Sequence, residues 1–340
     1  MITTGKAQDS RRSVRWGRRR RLLPPPRVAL LPQNETGCPS GDDGHLDAVG
    51  DVAFSHDGLH VLTASYDGTV RVWDAARGTP LKRRSFGGRR ASLLAIAPSS
   101  ERCAVIVGQL NPAPNRISIW DYRRDHELEP IDVMNEADPE VKTSPEALGF
   151  LDNNHLLLAC DDGTVRLVDL ASRRMETVLR CEIEPYCRFA TRKQQFITYR
   201  RNGASVARYD VATGKMATEF DSCCRDPLGL AISPNAEMVA CCDVSGALLV
   251  FQADGRRIAK FEYPSRNAPR CAAFFNDGKR IVTGDVDHGV TVWCIQTGKQ
   301  LMRTVGHRGF IYDISVSADD KRFATAATDS TALVWNAPDL

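Results

Sequence analysis

The sequence predicts an all-β fold made of seven similar four-stranded units, and three observations support this prediction. An aromatic or apolar residue recurs at intervals of 47, 48, 41, 42, 42 and 42 residues. Short apolar runs lie between these positions and are separated by turn pairs such as Asp67-Gly68, which favour hairpins. A period of roughly 40–45 residues with four strands per unit is typical of a β-propeller. The recurring residues are Trp73, Trp120, Val168, Tyr209, Phe251, Trp293 and Trp335.

The first unit shows the four expected strands most clearly. The apolar stretch 51–55 ends at a His-Asp-Gly turn, and a second apolar run over 60–64 ends at Asp67-Gly68. Residues 70–73 then alternate, as a strand buried on one face does. Residues 80–85 are more polar and suit an outer edge strand. The unit therefore predicts one antiparallel blade.

Three dipeptides of this unit resemble the WD-repeat family, namely Gly44-His45, Asp67-Gly68 and Trp73-Asp74. In that family a His, a strand Ser or Thr, the turn Asp and the Trp form a buried hydrogen-bonded tetrad. The resemblance therefore implies a structural tetrad here. Its predicted members are His45, Ser65, Asp67 and Trp73. A catalytic triad is the disfavoured alternative, because the Asp lies in a tight turn and the ring of blades already explains these residues.

The resemblance spans about residues 44–340 and is stronger at both ends than in the middle. The last unit keeps His307, Asp329 and Trp335 but has Ala327 where Ser65 stands in the first. We therefore expect only the first unit to build a complete tetrad.

Closure of the ring is predicted to use the N-terminal part of the chain. The seventh unit stops just after its third strand, which would leave an unpaired edge. The free extended segment Arg27–Leu31 precedes the first unit, and we expect it to pair beside residues 331–335. The predicted organisation is a basic, disordered tail over residues 1–26 and a seven-bladed propeller over residues 27–340.

Charge divides the chain in two. Residues 1–27 contain nine Lys or Arg against one acid, whereas the rest holds 36 basic and 41 acidic residues. The mildly acidic body argues against a general polyanion binder. Nucleic acid or an acidic partner is an open alternative for the Arg11–Arg27 tail.

Location is predicted from apolar runs and cysteines. No run approaches the roughly 18 apolar residues of a membrane span, and three prolines interrupt the apolar stretch after the Arg cluster. Six of the eleven cysteines fall in predicted strands, where a free thiol behaves as a small hydrophobe. These features favour a cytoplasmic protein without membrane contact. The six are Cys103, Cys160, Cys241, Cys242, Cys271 and Cys294.

Catalytic signatures are absent from the sequence, which has no phosphate loop, no His-Glu-x-x-His pair and no Gly-x-Ser-x-Gly elbow. We expect no catalytic residue, cofactor or metal site. A propeller enzyme of the sugar-lactone hydrolase type is the alternative, and it would require convergent acidic or His side chains at the channel mouth.

Two insertions and the channel rim are the candidate partner-binding regions. The insertions, residues 109–115 and 135–144, are expected to project from one face. The candidate binding residues are Pro112, Pro114, Glu136, Asp138 and Glu140 in the insertions, and Arg90, Arg270, Phe310 and Tyr312 at the rim. Arg and exposed aromatic side chains dominate interface energies. The sequence thus favours a non-catalytic scaffold that binds protein partners, with an RNA- or ribosome-associated adaptor as a further alternative through the tail.

Overall fold

The computed structural model of the chain describes residues 44–108, 115–134, 143–181, 187–200, 205–220, 227–263 and 268–340, together with the backbone of residues 27–29. Within these ranges the protein is all-β, and its strands form seven antiparallel sheets. The prediction of a seven-bladed β-propeller is therefore confirmed.

Each blade follows the chain from an inner strand to an outer one. The first contains β2 (Val49–Phe54), β3 (His60–Ser65), β4 (Thr69–Asp74) and β5 (Pro80–Ser85). The second contains β6 (Arg90–Ile96), β7 (Arg102–Gly108) and β8 (Asn115–Asp121), and its outer edge is divided between β9 (His126–Glu127) and β10 (Ile131–Val133). Both short strands pair with β8.

The third and fourth blades follow the same strand order. The fourth also contains the only helical turn among the described residues, a 3-10 turn at Thr191–Lys193 between its first two strands. The third has β11 (Pro145–Phe150), β12 (His155–Cys160), β13 (Thr164–Asp169) and β14 (Arg174–Arg180). The fourth has β15 (Arg188–Ala190), β16 (Gln195–Arg200), β17 (Ser205–Asp210) and β18 (Lys215–Phe220).

The last three blades repeat this order. The fifth has β19 (Pro227–Ile232), β20 (Met238–Asp243), β21 (Ala247–Gln252) and β22 (Arg257–Glu262). The sixth has β23 (Pro269–Phe274), β24 (Arg280–Asp285), β25 (Gly289–Cys294) and β26 (Gln300–Val305). The seventh has β27 (Ile311–Val316), β28 (Arg322–Ala327) and β29 (Ala332–Asn336).

The ring closes through β1 (Arg27–Ala29), which is the fourth strand of the seventh blade. It runs antiparallel to β29, with Val28 opposite Val334 and Ala29 opposite Leu333. The predicted closure by an N-terminal strand is confirmed for residues 27–29, and Leu30 and Leu31 of the predicted segment lie outside the described residues. The predicted tail over residues 1–26 lies outside the described residues.

Apolar packing between neighbouring blades forms the core. The described residues contain seven buried clusters, and each cluster lies at one junction between consecutive blades. The cluster at the closing junction packs Val52 and Trp73 of the first blade against Ala324 and Val334 of the seventh. Because burial of apolar surface contributes roughly 25 cal/mol per Å², this continuous ring of contacts holds the inner strands at fixed positions around the channel.

Candidate functional site

The two faces of the ring carry different loops. Links between blades and turns such as β3–β4 lie on one face, which we call the upper face, because consecutive strands alternate in direction. Turns such as β2–β3 and β21–β22 lie on the opposite, lower face. The upper face contains the described residues of both candidate sites, the tetrad and the rim.

A buried chain of hydrogen bonds stabilises the upper end of the first blade. The Nδ1 atom of His45 lies 3.1 Å from the Asp67 carboxylate, and its Nε2 atom lies 2.7 Å from the Thr63 hydroxyl. The indole N–H of Trp73 donates to that same hydroxyl at 2.9 Å. Three of the four predicted members therefore meet, with Thr63 as the hydroxyl between His45 and Trp73.

The structure differs from the prediction at Ser65. Its hydroxyl donates to the Asp47 carbonyl at 3.0 Å and accepts from the Asp67 amide at 3.1 Å, so it supports the turn. Trp73 pairs with Val61 across the sheet. Thr63 is therefore nearer to the indole than Ser65 is, although both side chains lie on the same strand face. Side chains two residues apart share a face of a strand, so Thr63 could have been identified as an alternative to Ser65 from the sequence.

The seventh blade repeats this arrangement, so the expectation that only the first unit could build it is wrong. His307 Nε2 lies 2.7 Å from the Thr325 hydroxyl, which accepts from Trp335 at 2.9 Å. Asp329 lies 3.3 Å from His307 Nδ1. In the sixth blade the Trp293 indole donates to the hydroxyl of Tyr263, which lies 2.6 Å from the Thr283 hydroxyl.

Burial and local hydrogen bonds set the protonation states of His45 and Asp67 in the first tetrad. Burial lowers the pKa of His45, so the ring is neutral over a wider pH range than usual. Burial also opposes ionisation of Asp67, but hydrogen bonds from His45, Thr69 and the Leu46 amide outweigh it and lower the pKa of that carboxyl. The four side chains are therefore fixed by one another.

A second group of side chains lies at the upper rim of the central channel, and we call Tyr66, Arg90, Arg270, Phe310 and Tyr312 the rim cluster. The Arg90 guanidinium lies 5.1 Å from the Tyr66 ring centroid, and the Tyr66 and Tyr312 rings lie 6.3 Å apart. The Arg270 guanidinium lies 5.2 Å from Tyr312 and 6.0 Å from Phe310. Four predicted rim residues thus form one continuous surface with Tyr66.

β-bulges position two members of the rim cluster. The register of β23 shifts between Pro269 and Cys271, and that of β27 shifts between Ile311 and Asp313. Arg270 and Tyr312 are the extra residues of these bulges. Because a bulge re-aims its side chain, it explains why both residues leave the strand alternation.

Close packing explains the position of Tyr66, which the sequence prediction missed. The equivalent bulge residue of the first blade is Gly50, and a Cβ there would lie 3.0 Å from the Tyr66 ring. Glycine therefore makes room for the ring. The signal in the sequence was an aromatic residue inside the turn Ser65-Tyr66-Asp67-Gly68. The predicted insertion residues Pro112, Pro114, Glu136, Asp138 and Glu140 lie outside the described residues.

Below the rim cluster, a cavity of about 230 Å³ in the channel contains a carboxylate pair. The protonated carboxyl of Asp51 donates a hydrogen bond to the Asp313 carboxylate, and Arg188 lies 3.5 Å from Asp313. Burial and the neighbouring Asp313 raise the pKa of Asp51 well above its usual value, and burial also raises that of Asp313.

Each carboxylate of this pair also bonds to the next blade. Asp51 accepts the Leu94 amide at 2.9 Å, and Asp313 accepts the Val52 amide at 3.4 Å. The pair therefore links three inner strands. Neither Asp51 nor Asp313 was among the rim residues predicted from the sequence.

Cysteines, metal-ligand groups and membrane-spanning helices were also considered in the predictions from the sequence. Of the six cysteines predicted in strands, five carry free thiols and Cys241 is disulfide-bonded. In the described part of the chain, no three His, Cys, Asp or Glu side chains are grouped as metal ligands. No helix in the same ranges has the length and apolar character needed to cross a membrane.

Comparison with known proteins gives matches to repeat-containing proteins. The family model "WD domain, G-beta repeat" matches residues 38–74, 255–294 and 298–336. These matches contain the first three strands of the first, sixth and seventh blades, and the last two also include the outer strand of the preceding blade. WD repeat-containing protein 1 of Xenopus tropicalis is 23% identical over 345 residues, covering 90% of this chain and 56% of that protein.

Two further relatives match over part of the chain. Angio-associated migratory cell protein of Homo sapiens is 22% identical over 192 residues, which cover 54% of this chain and 44% of that protein. Apoptotic protease-activating factor 1 of Mus musculus is 25% identical over 200 residues, which cover 54% of this chain and 14% of that protein. The matched segments thus span about half or less of the length of these relatives. The chain has seven blades, two complete tetrads of His, Thr, Asp and Trp, and three matches to the repeat model. It therefore belongs to the WD-repeat β-propeller family.

Proposed function

We propose that this chain is a non-catalytic scaffold that binds protein partners through the rim cluster. The observation that supports the proposal is the surface itself, in which two arginines and three aromatic rings are in mutual contact around the channel mouth. Arg and Tyr are enriched among the residues that dominate binding energies. Phe310 is 45% exposed, and a ring this open contributes little to folding.

The rim cluster is built on a rigid frame, which favours binding over catalysis. Its residues extend from bulges and a tight turn that the apolar junctions between blades hold in place. A preorganised surface loses little conformational entropy on association. The carboxylate pair below it has a structural explanation, since Asp51 and Asp313 accept amides of the next blade.

The wider assignments are part of the same proposal. We infer a cytoplasmic protein because Cys103, Cys160, Cys242, Cys271 and Cys294 are free thiols within strands. We also propose that residues 27–340 act as one domain, that residues 1–26 form a separate basic tail, and that the two insertions contribute to partner binding. Matches to segments of longer relatives support an interaction module.

Affinity capture from native lysate tests the proposal with two matched variants. The rim variant carries Arg90→Ala and Phe310→Ala. The lower-face variant carries Arg256→Ala and Leu59→Ala, which remove the same kinds of exposed side chain from the opposite face. Quantitative mass spectrometry should find proteins that the wild type and the lower-face variant retain and that the rim variant loses at least tenfold. Equal capture by all three proteins contradicts the proposal.

A further inference from the structure

The two arginines of the rim cluster lie against aromatic rings and have no acidic partner among the described residues. Among the described residues, neither Arg90 nor Arg270 has a hydrogen-bond or ion-pair acceptor. Their nearest described neighbours are aromatic rings, over which the guanidinium planes lie at 5.1 and 5.2 Å. An arginine so placed keeps up to five N–H donors available and loses little side-chain freedom when it binds.

The carboxylates beneath the rim cluster do not neutralise these arginines. Asp51 and Asp313 bond to each other and to backbone amides, and the arginine that contacts them is Arg188. The upper-face carboxylates Asp67 and Asp329 are likewise engaged, each with a buried histidine. None of these four carboxylates forms an ion pair with Arg90 or Arg270.

The spacing of the two guanidinium groups fits a short peptide. The contacts that connect them measure 5.1, 6.3 and 5.2 Å, so the groups lie within about 17 Å of each other. An extended chain rises about 3.4 Å per residue, and its side chains at i and i+4 point the same way, roughly 14 Å apart. Two carboxylates of such a segment can therefore reach both arginines, and an apolar side chain between them can contact the exposed ring of Phe310.

We propose that the rim cluster recognises an acidic peptide segment of a protein partner, with carboxylates on Arg90 and Arg270 and an apolar side chain on Phe310. This inference depends on the proposed function and specifies its ligand. Charge-assisted Arg–carboxylate bonds are about twice as strong as neutral hydrogen bonds, and bidentate geometry adds specificity. The hydroxyls of Tyr66 and Tyr312 have no partner in the described ranges and are further donors for the same segment.

A peptide fits better than a nucleic acid for two reasons. Faces of the rings already lie against guanidinium groups, which leaves less room for stacked bases. The chain beyond residue 27 has 36 basic and 41 acidic residues, so a long run of phosphates would meet more repulsion than a short acidic segment. Nucleic acid binding at the rim cluster is therefore an outcome that would contradict the proposal.

Fluorescence anisotropy with synthetic probes tests this ligand class. The probes are a fluorescein-labelled 12-residue peptide with glutamates at i and i+4 around a leucine and two further glutamates, the same peptide with every glutamate replaced by glutamine, and a labelled 12-nucleotide oligo-uridine. We expect the full-length chain to bind the acidic peptide at least tenfold more tightly than the glutamine peptide or the RNA. Raising the salt concentration should weaken this binding.

Three variants show whether binding occurs at the rim cluster. Arg90→Gln with Arg270→Gln should weaken binding of the acidic peptide at least tenfold, whereas Arg256→Gln with Arg257→Gln removes the same charge from the lower face and should change it less than twofold. Arg90→Lys with Arg270→Lys keeps the charge but loses bidentate geometry and should weaken binding about threefold to fivefold. Melting temperatures of all variants verify that the proteins are folded.

Each outcome separates the ligand class from the scaffold role. Equal binding of the acidic and glutamine peptides, tight RNA binding that the rim variant weakens, or equal loss in rim and lower-face variants overturns the acidic-peptide proposal. If the rim variant nevertheless loses captured proteins in the lysate experiment, the scaffold role stands and only the ligand class is wrong. If that capture is also independent of the rim, both proposals fall.

Discussion

The hydroxyl of Thr63 provides a sharp test of how the first blade is stabilised. Thr63→Val keeps the size and β-branching of the side chain but removes the hydroxyl that joins His45 to Trp73. Both partner atoms remain in place, and Trp73 is only 1% exposed. The substitution therefore leaves an indole N–H and an imidazole nitrogen without their protein partner in a nearly dry environment.

The magnitude follows from the cost of orphaned polar groups. An unsatisfied buried donor or acceptor costs about 1–3 kcal/mol, so the two groups together predict a loss of about 2–6 kcal/mol. Ser65→Ala is the matched control, because its hydroxyl bonds only to the backbone of Asp47 and Asp67 beside a turn. Loss of those bonds should cost about 1 kcal/mol.

Thermal unfolding followed by circular dichroism or calorimetry measures the difference. At about 1.4 °C per kcal/mol for a chain of this length, we expect Thr63→Val to lower the Tm by about 3–8 °C and Ser65→Ala by about 1–2 °C. Thr63→Ser retains the hydroxyl and should recover most of the loss. If Thr63→Val and Ser65→Ala have equal effects, or if Thr63→Ser is as unstable as Thr63→Val, the role assigned to this hydroxyl is wrong.

Two further predictions concern the channel and the ring closure. Because the pKa of Asp51 is raised in the folded state, ionising the pair at pH 7 costs free energy in the folded protein but not in the unfolded chain. Asp51→Asn should therefore raise the Tm at pH 7. This gain should vanish as the pH falls towards about 4, where the carboxyl is protonated in both states. A gain independent of pH in thermal melts would contradict the assignment. Removing residues 1–30 should lower the Tm sharply because β29 loses its partner, whereas removing residues 1–26 keeps β1 and should have little effect. Equal transitions for the two truncations would rule out closure by β1.

Most of the fold was predictable from local patterns. Asp67-Gly68 and similar turns, together with runs of alternating apolar residues, define hairpins over a few residues each, and their repetition sets the number of blades. Closure by β1 was also predictable, because a unit without its fourth strand needs one from elsewhere. These features depend on short-range backbone preferences and on pairing rules that every sheet obeys.

The details of both sites required the tertiary structure. Thr63 and Ser65 are equivalent in type and face, and only the placement of the Trp73 indole across the sheet selects Thr63. Tyr66 and Tyr312 meet because the ring brings its first and last blades together. The sequence by itself determined the repeating strands and the residues available to the rim. Only closure of the ring and the bulges decided which side chains touch, because those contacts join residues that lie far apart along the chain.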